Sequence, residues 1–166
     1  IAPGMTAKLW GYNGSSPGPT IEVVEGDRVR LFVTNKLPEH TTIHWHGQQL
    51  PNGMDGVGGL TQPQIAPGKT FAYEFTAQRA GTFMYHPHAD EMVQMAMGMM
   101  GLWITHPKDP QTQHVDRDFA FLMNAYDIDP GSFKPRPNTM LDFNLWTWNS
   151  RVFPGIDALP CRLNDQ

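Results

Sequence analysis

Glycine and proline interrupt this chain so often that no helix of ordinary length fits between them: 16 glycines and 15 prolines are spread along 166 residues. Helix interiors tolerate neither residue well, whereas both belong in turns and at strand ends. The apolar segments left between them are brief and rich in Val, Ile, Thr, Phe and Trp, the residues that suit a pleated surface. They predict strands at residues 7–12, 20–24, 28–35, 41–46, 70–76, 81–86 and 99–106, with turns at 25–27 and 66–69. Val29, Leu31 and Val33 alternate with Arg28, Arg30 and Phe32, and Phe71, Tyr73 and Phe75 fall on one parity, so these strands each turn one face inward. The fold class is therefore all-β, and the strand count suits a two-sheet sandwich. Residues 89–100 hold a single helical turn at most.

The same texture restarts after residues 105–110, which divides the chain into a first unit, 1–110, and a second, 111–166. Roughly fifty residues follow Val115, about half of the ~100 that a sandwich with its own core uses. The second unit is thus expected to be incomplete. An incomplete sandwich leaves strand edges and an apolar face open, so residues 115–166 are expected to be covered by another copy or by a separate chain. Trp146 and Trp148 share a strand face and are expected in that unit's core or at an interface.

Twelve basic and sixteen acidic side chains leave a formal charge of -4 with no Lys/Arg cluster, which argues against nucleic acid or an anionic membrane as partner. No apolar run is long enough to span a bilayer. The chain starts at Ile1 rather than Met, as expected if a leader or flanking residues had been removed. Its single cysteine, Cys161, excludes an internal disulfide and a cysteine-rich zinc module, and reads as a buried structural thiol.

Seven histidines are present, and four of them form two pairs of identical spacing: His44 with His46, and His86 with His88. In a strand, residues two apart project from one face, so each pair presents two imidazoles to the same space. Imidazole is a common ligand for copper and zinc, and four imidazoles without a neighbouring thiolate favour copper over a structural zinc site. His40, His106 and His114 stand alone in expected loops and read as solvated.

The motifs IHWHG (43–47), NGMDGVGGLTQPQIAPGKTFAYEF (52–75) and GTFMYHPHADEMVQMAMGMMGLWITHP (81–107) resemble the first cupredoxin domain of the multicopper oxidases, the laccase-like family, over positions 15–107. FLMNAYDIDPG and FNLWTWNSRVFPGIDALP resemble the opening strands of the next cupredoxin domain in bacterial members. The resemblance implies a cupredoxin-like Greek-key β-sandwich followed by part of a second. It also implies an oxidoreductase, periplasmic or secreted, that couples one-electron oxidation of a phenol, amine or metal ion to the full reduction of O2 to water. By the same resemblance His44 matches a ligand of the type 2 copper, and His46, His86 and His88 match ligands of the type 3 pair. These would be half of a trinuclear cluster completed by later cupredoxin domains or another chain. Asp55 matches a proton-donating acid beside that cluster, although an Asp-Gly turn accounts for it equally well.

A type 1 blue copper is not expected in this chain. It needs a cysteine thiolate, and where some two-domain relatives carry that cysteine this sequence has Pro87, with Gln94 near the place of a further histidine. Asp90 and Glu91 read as solvated. Met92, Met95, Met97, Met99 and Met100 read as core filler rather than as thioether ligands for Cu(I). Two alternatives stand beside the oxidase: a non-catalytic copper-binding module, and a two-domain copper nitrite reductase, against which Pro87 and the doubled HxH count.

Overall fold

The computed structural model describes residues 1–109, 115–137 and 141–156. Its strands are β1 (Ile21–Val24), β2 (Arg28–Thr34), β3 (Ile43–His46), β4 (Thr70–Thr76), β5 (Gly81–Pro87), β6 (Gly101–His106), β7 (Met123–Tyr126) and β8 (Leu145–Trp148). A short helix, α1 (Glu91–Ala96), and a 3-10 turn at Asn52–Met54 complete the regular elements among the described residues. The all-β expectation holds, and β1 to β6 lie within two residues of their expected bounds.

The strand expected at 7–12 does not form. Ala2 pairs only with Met5 and Tyr12 only with Ser15, while the Lys8 N–H reaches the Phe133 carbonyl and the Trp10 N–H the Met97 carbonyl. The segment has the composition of a strand but finds single bonds to distant loops instead of a ladder, and so ties the front of the chain to its later part.

β1 runs parallel to β6, and β6, β5 and β3 follow antiparallel to make a four-stranded sheet; β2 and β4 pair separately. Along β2 the apolar positions Val29, Leu31 and Val33 are half-buried and their neighbours exposed, as the alternation predicts. Where the two sheets face each other, Ile43, Trp45, Tyr85 and Trp103 meet Tyr73 and Phe75. Trp45 sits at the centre, its ring 5.2 Å from Tyr73, 5.5 Å from Trp103, 5.7 Å from Phe75 and 5.8 Å from Tyr85. Truncating a buried aromatic at such a position costs about 3–5 kcal/mol, so Trp45 fixes β3 within the sandwich.

β7 and β8 form an antiparallel pair of their own. Tyr126 and Ile128 pack there with Met100, bringing in Leu9 and Met84 from the first part of the chain. Beside them the hydroxyls of Ser16, Tyr126 and Ser150 lie 2.9–3.2 Å apart, and Ser16 also donates to the Gly98 carbonyl at 2.7 Å. Trp146 and Trp148 share a face as expected, but in this chain it is not core: they are 71% and 47% exposed. With Met95, Met123 and Phe143 they line an open groove of about 380 Å³. Met99 and Met100 are buried, as filler should be, whereas Met92 is exposed. His114 and Cys161 lie outside the described residues.

Candidate metal centre

The pairing of β3 with β5 decides where the imidazoles go. His44 stands directly opposite His86, and Trp45 opposite Tyr85. In an antiparallel pair, residues in register share a face and their neighbours take the other. The aromatic pair therefore points into the core while the histidines point out of it, His44 and His46 from β3, His86 from β5 and His88 just past its end. One ligand atom each from His44, His46 and His86 lies within 4.8 Å of the others. The His88 ring is 5.3 Å from that of His44 and 6.0 Å from that of His86. The structure thus brings all four expected residues to one place.

Local sequence explains the shape of this wall. Gly47 follows His46 at φ +80°, and a Cβ there would press into the Phe83 ring, so the glycine of HWHG lets the chain leave the strand at once. Gly56, also at φ +80°, lies against the Ile43 carbonyl so closely that any side chain would collide with it. That approach lays the 52–56 loop along β3 and brings the Asp55 carbonyl within 2.7 Å of His44 Nδ1.

A carbonyl can only accept, so His44 Nδ1 carries a proton, and in the neutral ring the lone pair belongs to Nε2. His86 is oriented in the same way by the Pro87 carbonyl, 2.9 Å from Nδ1. Ligating histidines are held by such partners. Burial pushes His86 below the ordinary imidazole range, with His44 and His46 adding to the effect, against the opposing pull of the Pro87 carbonyl and Glu91. A neutral ring is the ligand form. His86 Nε2 and His46 Nδ1 lie 3.3 Å apart, and two nitrogens each about 2 Å from one ion stand roughly 3 Å from each other. The donor set fits a transition metal ion that prefers nitrogen.

Asp55 is also in place, with Oδ1 3.5 Å from His44 Nδ1 and a side chain about one-third exposed. Glu91 keeps a side chain 42% exposed, as a solvated residue should, but it also approaches the histidines. Its carboxylate lies between the second pair, 3.5 Å from His86 Nδ1 and 3.5 Å from His88 Nε2. No local spacing signals this, because His88 lies before α1, which starts at Glu91. Asp90 is exposed. His40 is exposed as expected; His106 is also at the surface, paired with Glu22 at 2.8 Å. Among the described residues no helix is long and apolar enough to cross a membrane.

A family profile described as multicopper oxidase matches residues 1–110. Copper resistance protein A of Pseudomonas syringae pv. tomato is 40% identical over 121 residues, covering 72% of this chain and 20% of that protein. L-ascorbate oxidase of Cucumis sativus is 39% identical over 123 residues, 71% of this chain and 21% of the enzyme. Among solved structures, the multicopper oxidase mgLAC superposes with a TM-score of 0.80 at 35% identity, covering 93% of this chain and 50% of that one. The chain spans about a fifth of the length of the curated relatives it matches.

Proposed function

Since the chain belongs to the multicopper oxidase family and folds as its cupredoxin-like sandwich, we propose that His44, His46, His86 and His88 form one wall of a copper cluster at which O2 is reduced to water. The observation that carries this reading is the convergence of imidazole nitrogens from two paired strands within 4.8 Å. Copper, when bound, supplies the one-electron transfers of that reduction. His44 serves the type 2 ion, and His46, His86 and His88 serve the type 3 pair. The wall opens towards the exposed His46, and the remaining donors of a trinuclear cluster come from a later cupredoxin domain or another chain.

The residues of this chain bind, orient and supply protons. Carbonyls of Asp55 and Pro87 hold two rings with Nε2 outward. Reducing O2 to water consumes protons, and the Asp55 carboxylate, partly exposed yet 3.5 Å from His44, relays them from solvent to the wall. Residues 1–110 are the N-terminal cupredoxin domain and 111–166 the start of the second; the family match covers the first of these. Electrons enter through a type 1 copper outside this chain, from a phenol, an amine or a metal ion, in a periplasmic or secreted protein.

The test adds Cu(II) to the chain alone and then together with a polypeptide carrying the later domain, and follows O2 uptake with a phenolic donor. Uptake is expected only from the combination. Uptake by neither would defeat the oxidase reading, and uptake by the chain alone would show that the ligand count is wrong. Copper binding without uptake would favour a non-catalytic copper-binding module.

A further inference from the structure

Gln94, in the middle of α1, is completely buried, and both ends of its amide are engaged. Nε2 donates to the Glu39 carboxylate and to the His40 carbonyl, each at 2.8 Å, and Oε1 accepts from the Thr41 hydroxyl at 2.7 Å. A buried amide is tolerated only where its hydrogen bonds are remade, and losing one partner exposes the full desolvation cost. The side chain is therefore committed to one position.

All three partners belong to residues 39–41, the segment that leads into β3. That segment is anchored in turn, because Thr41 and Ile65 exchange backbone hydrogen bonds at 3.1 and 2.8 Å. The helix carrying Gln94 begins three residues after His88 and includes Glu91, which faces His86 and His88. Gln94 thus joins the entry to the first histidine pair with the exit from the second.

The two pairs differ in what else holds them. His44 and His86 are set opposite each other by the β3–β5 ladder, which ends at Ile43 and Pro87. His88 lies beyond that ladder, where its carbonyl accepts the Gly58 N–H at 3.0 Å. Its distance from His44 depends on where α1 is fastened. We infer that Gln94 is a positioning residue: it sets the separation of His88 from His44, and so the shape of the metal wall on that side. The inference rests on the copper reading given above.

The test compares Gln94→Met, which keeps volume but removes the three bonds, with Val29→Ala, a destabilising control on β2 in the other sheet. In the metal-free, isotope-labelled chain, Gln94→Met is expected to lose the ring-to-ring NOE between His44 and His88 while keeping that between His44 and His86. Its Cu(II) affinity is expected to fall about 10–100-fold, the usual effect of losing a ligand's support. Val29→Ala should melt earlier yet leave both readouts unchanged. Retention of the His44–His88 NOE and of full affinity in Gln94→Met would overturn the inference, as would equal changes in Val29→Ala. Should Gln94→Met fail to fold, Thr41→Val removes one of the three bonds and carries the same comparison. If neither the chain alone nor its combination with the later domain binds Cu(II), the copper reading fails, whereas the NOE pattern still decides whether Gln94 positions His88.

Discussion

His46 and His86 are neighbours with opposite surroundings, and the contrast separates binding from stability. His46 is exposed, so His46→Ala is expected to change unfolding free energy by less than about 0.5 kcal/mol. It should nevertheless cut Cu(II) affinity tenfold or more by calorimetry, because it removes a donor 3.3 Å from His86 Nε2. His86 is buried, and its proton affinity is lowered. The unfolded chain therefore binds the proton more readily. Stability from this residue is present above its ordinary value of 6.5 and is lost as pH falls through the lower folded value. An NMR titration of the metal-free chain should find His86 titrating below 6.5; a midpoint above it would contradict the burial argument. The histidine pairs were legible in sequence because a spacing of two has only one meaning on a strand. Glu91 was not, since its role depends on α1 turning back over β5, and no local pattern encodes that return.

At the scale of elements, β3 is only four residues long, and long-range contacts rather than propensity hold it. The Ile43 N–H, at its start, donates to the Tyr73 hydroxyl of β4 at 2.9 Å across the sandwich. Tyr73→Phe leaves that N–H buried without a partner and is expected to cost about 1–3 kcal/mol in denaturant unfolding. The phenol is itself raised to about 12 by burial, so it stays neutral at any working pH. Strands β2 and β4 could be read from alternation because each has one apolar face, whereas β5 and β6, which do not alternate in burial, were legible from composition and the turns that bound them. Residues 7–12 show why the rule has exceptions: composition permits a strand, but pairing requires a neighbour, and the available partners are the carbonyls of Met97 and Phe133. A strand is a property of two segments, and one segment's sequence reports only half of it.

Over the whole molecule, the described later residues are joined to the first sandwich by Met100, Tyr126 and Ile128 and by the hydroxyls of Ser16, Tyr126 and Ser150. Tyr126→Phe keeps the packing and removes the shared hydroxyl, an expected loss of about 1 kcal/mol. Amide exchange should show that loss in β7 and β8 together with the 97–100 segment, rather than in β2 and β4. The restart of strand texture after residue 110 was visible in the sequence, whereas its attachment through Ser16, 110 positions before Tyr126, was not. No periodicity links residues so far apart.

The facing of His44 and His86 across β3 and β5 also governs how this family of sequences can change length. Residues added at 78–80, or in the 47–69 connection away from Gly47, Asp55, Gly56, Gly58 and Ile65, leave the strands in register and the supports of the histidines in place, and the wall survives. One residue added or lost within β3 or β5 reverses every side chain beyond it, sending an imidazole inward and an aromatic ring out. Insertions and deletions should thus be tolerated in the loops and rejected inside a stretch of only a few positions, a boundary that a scan of single-codon deletions would map directly.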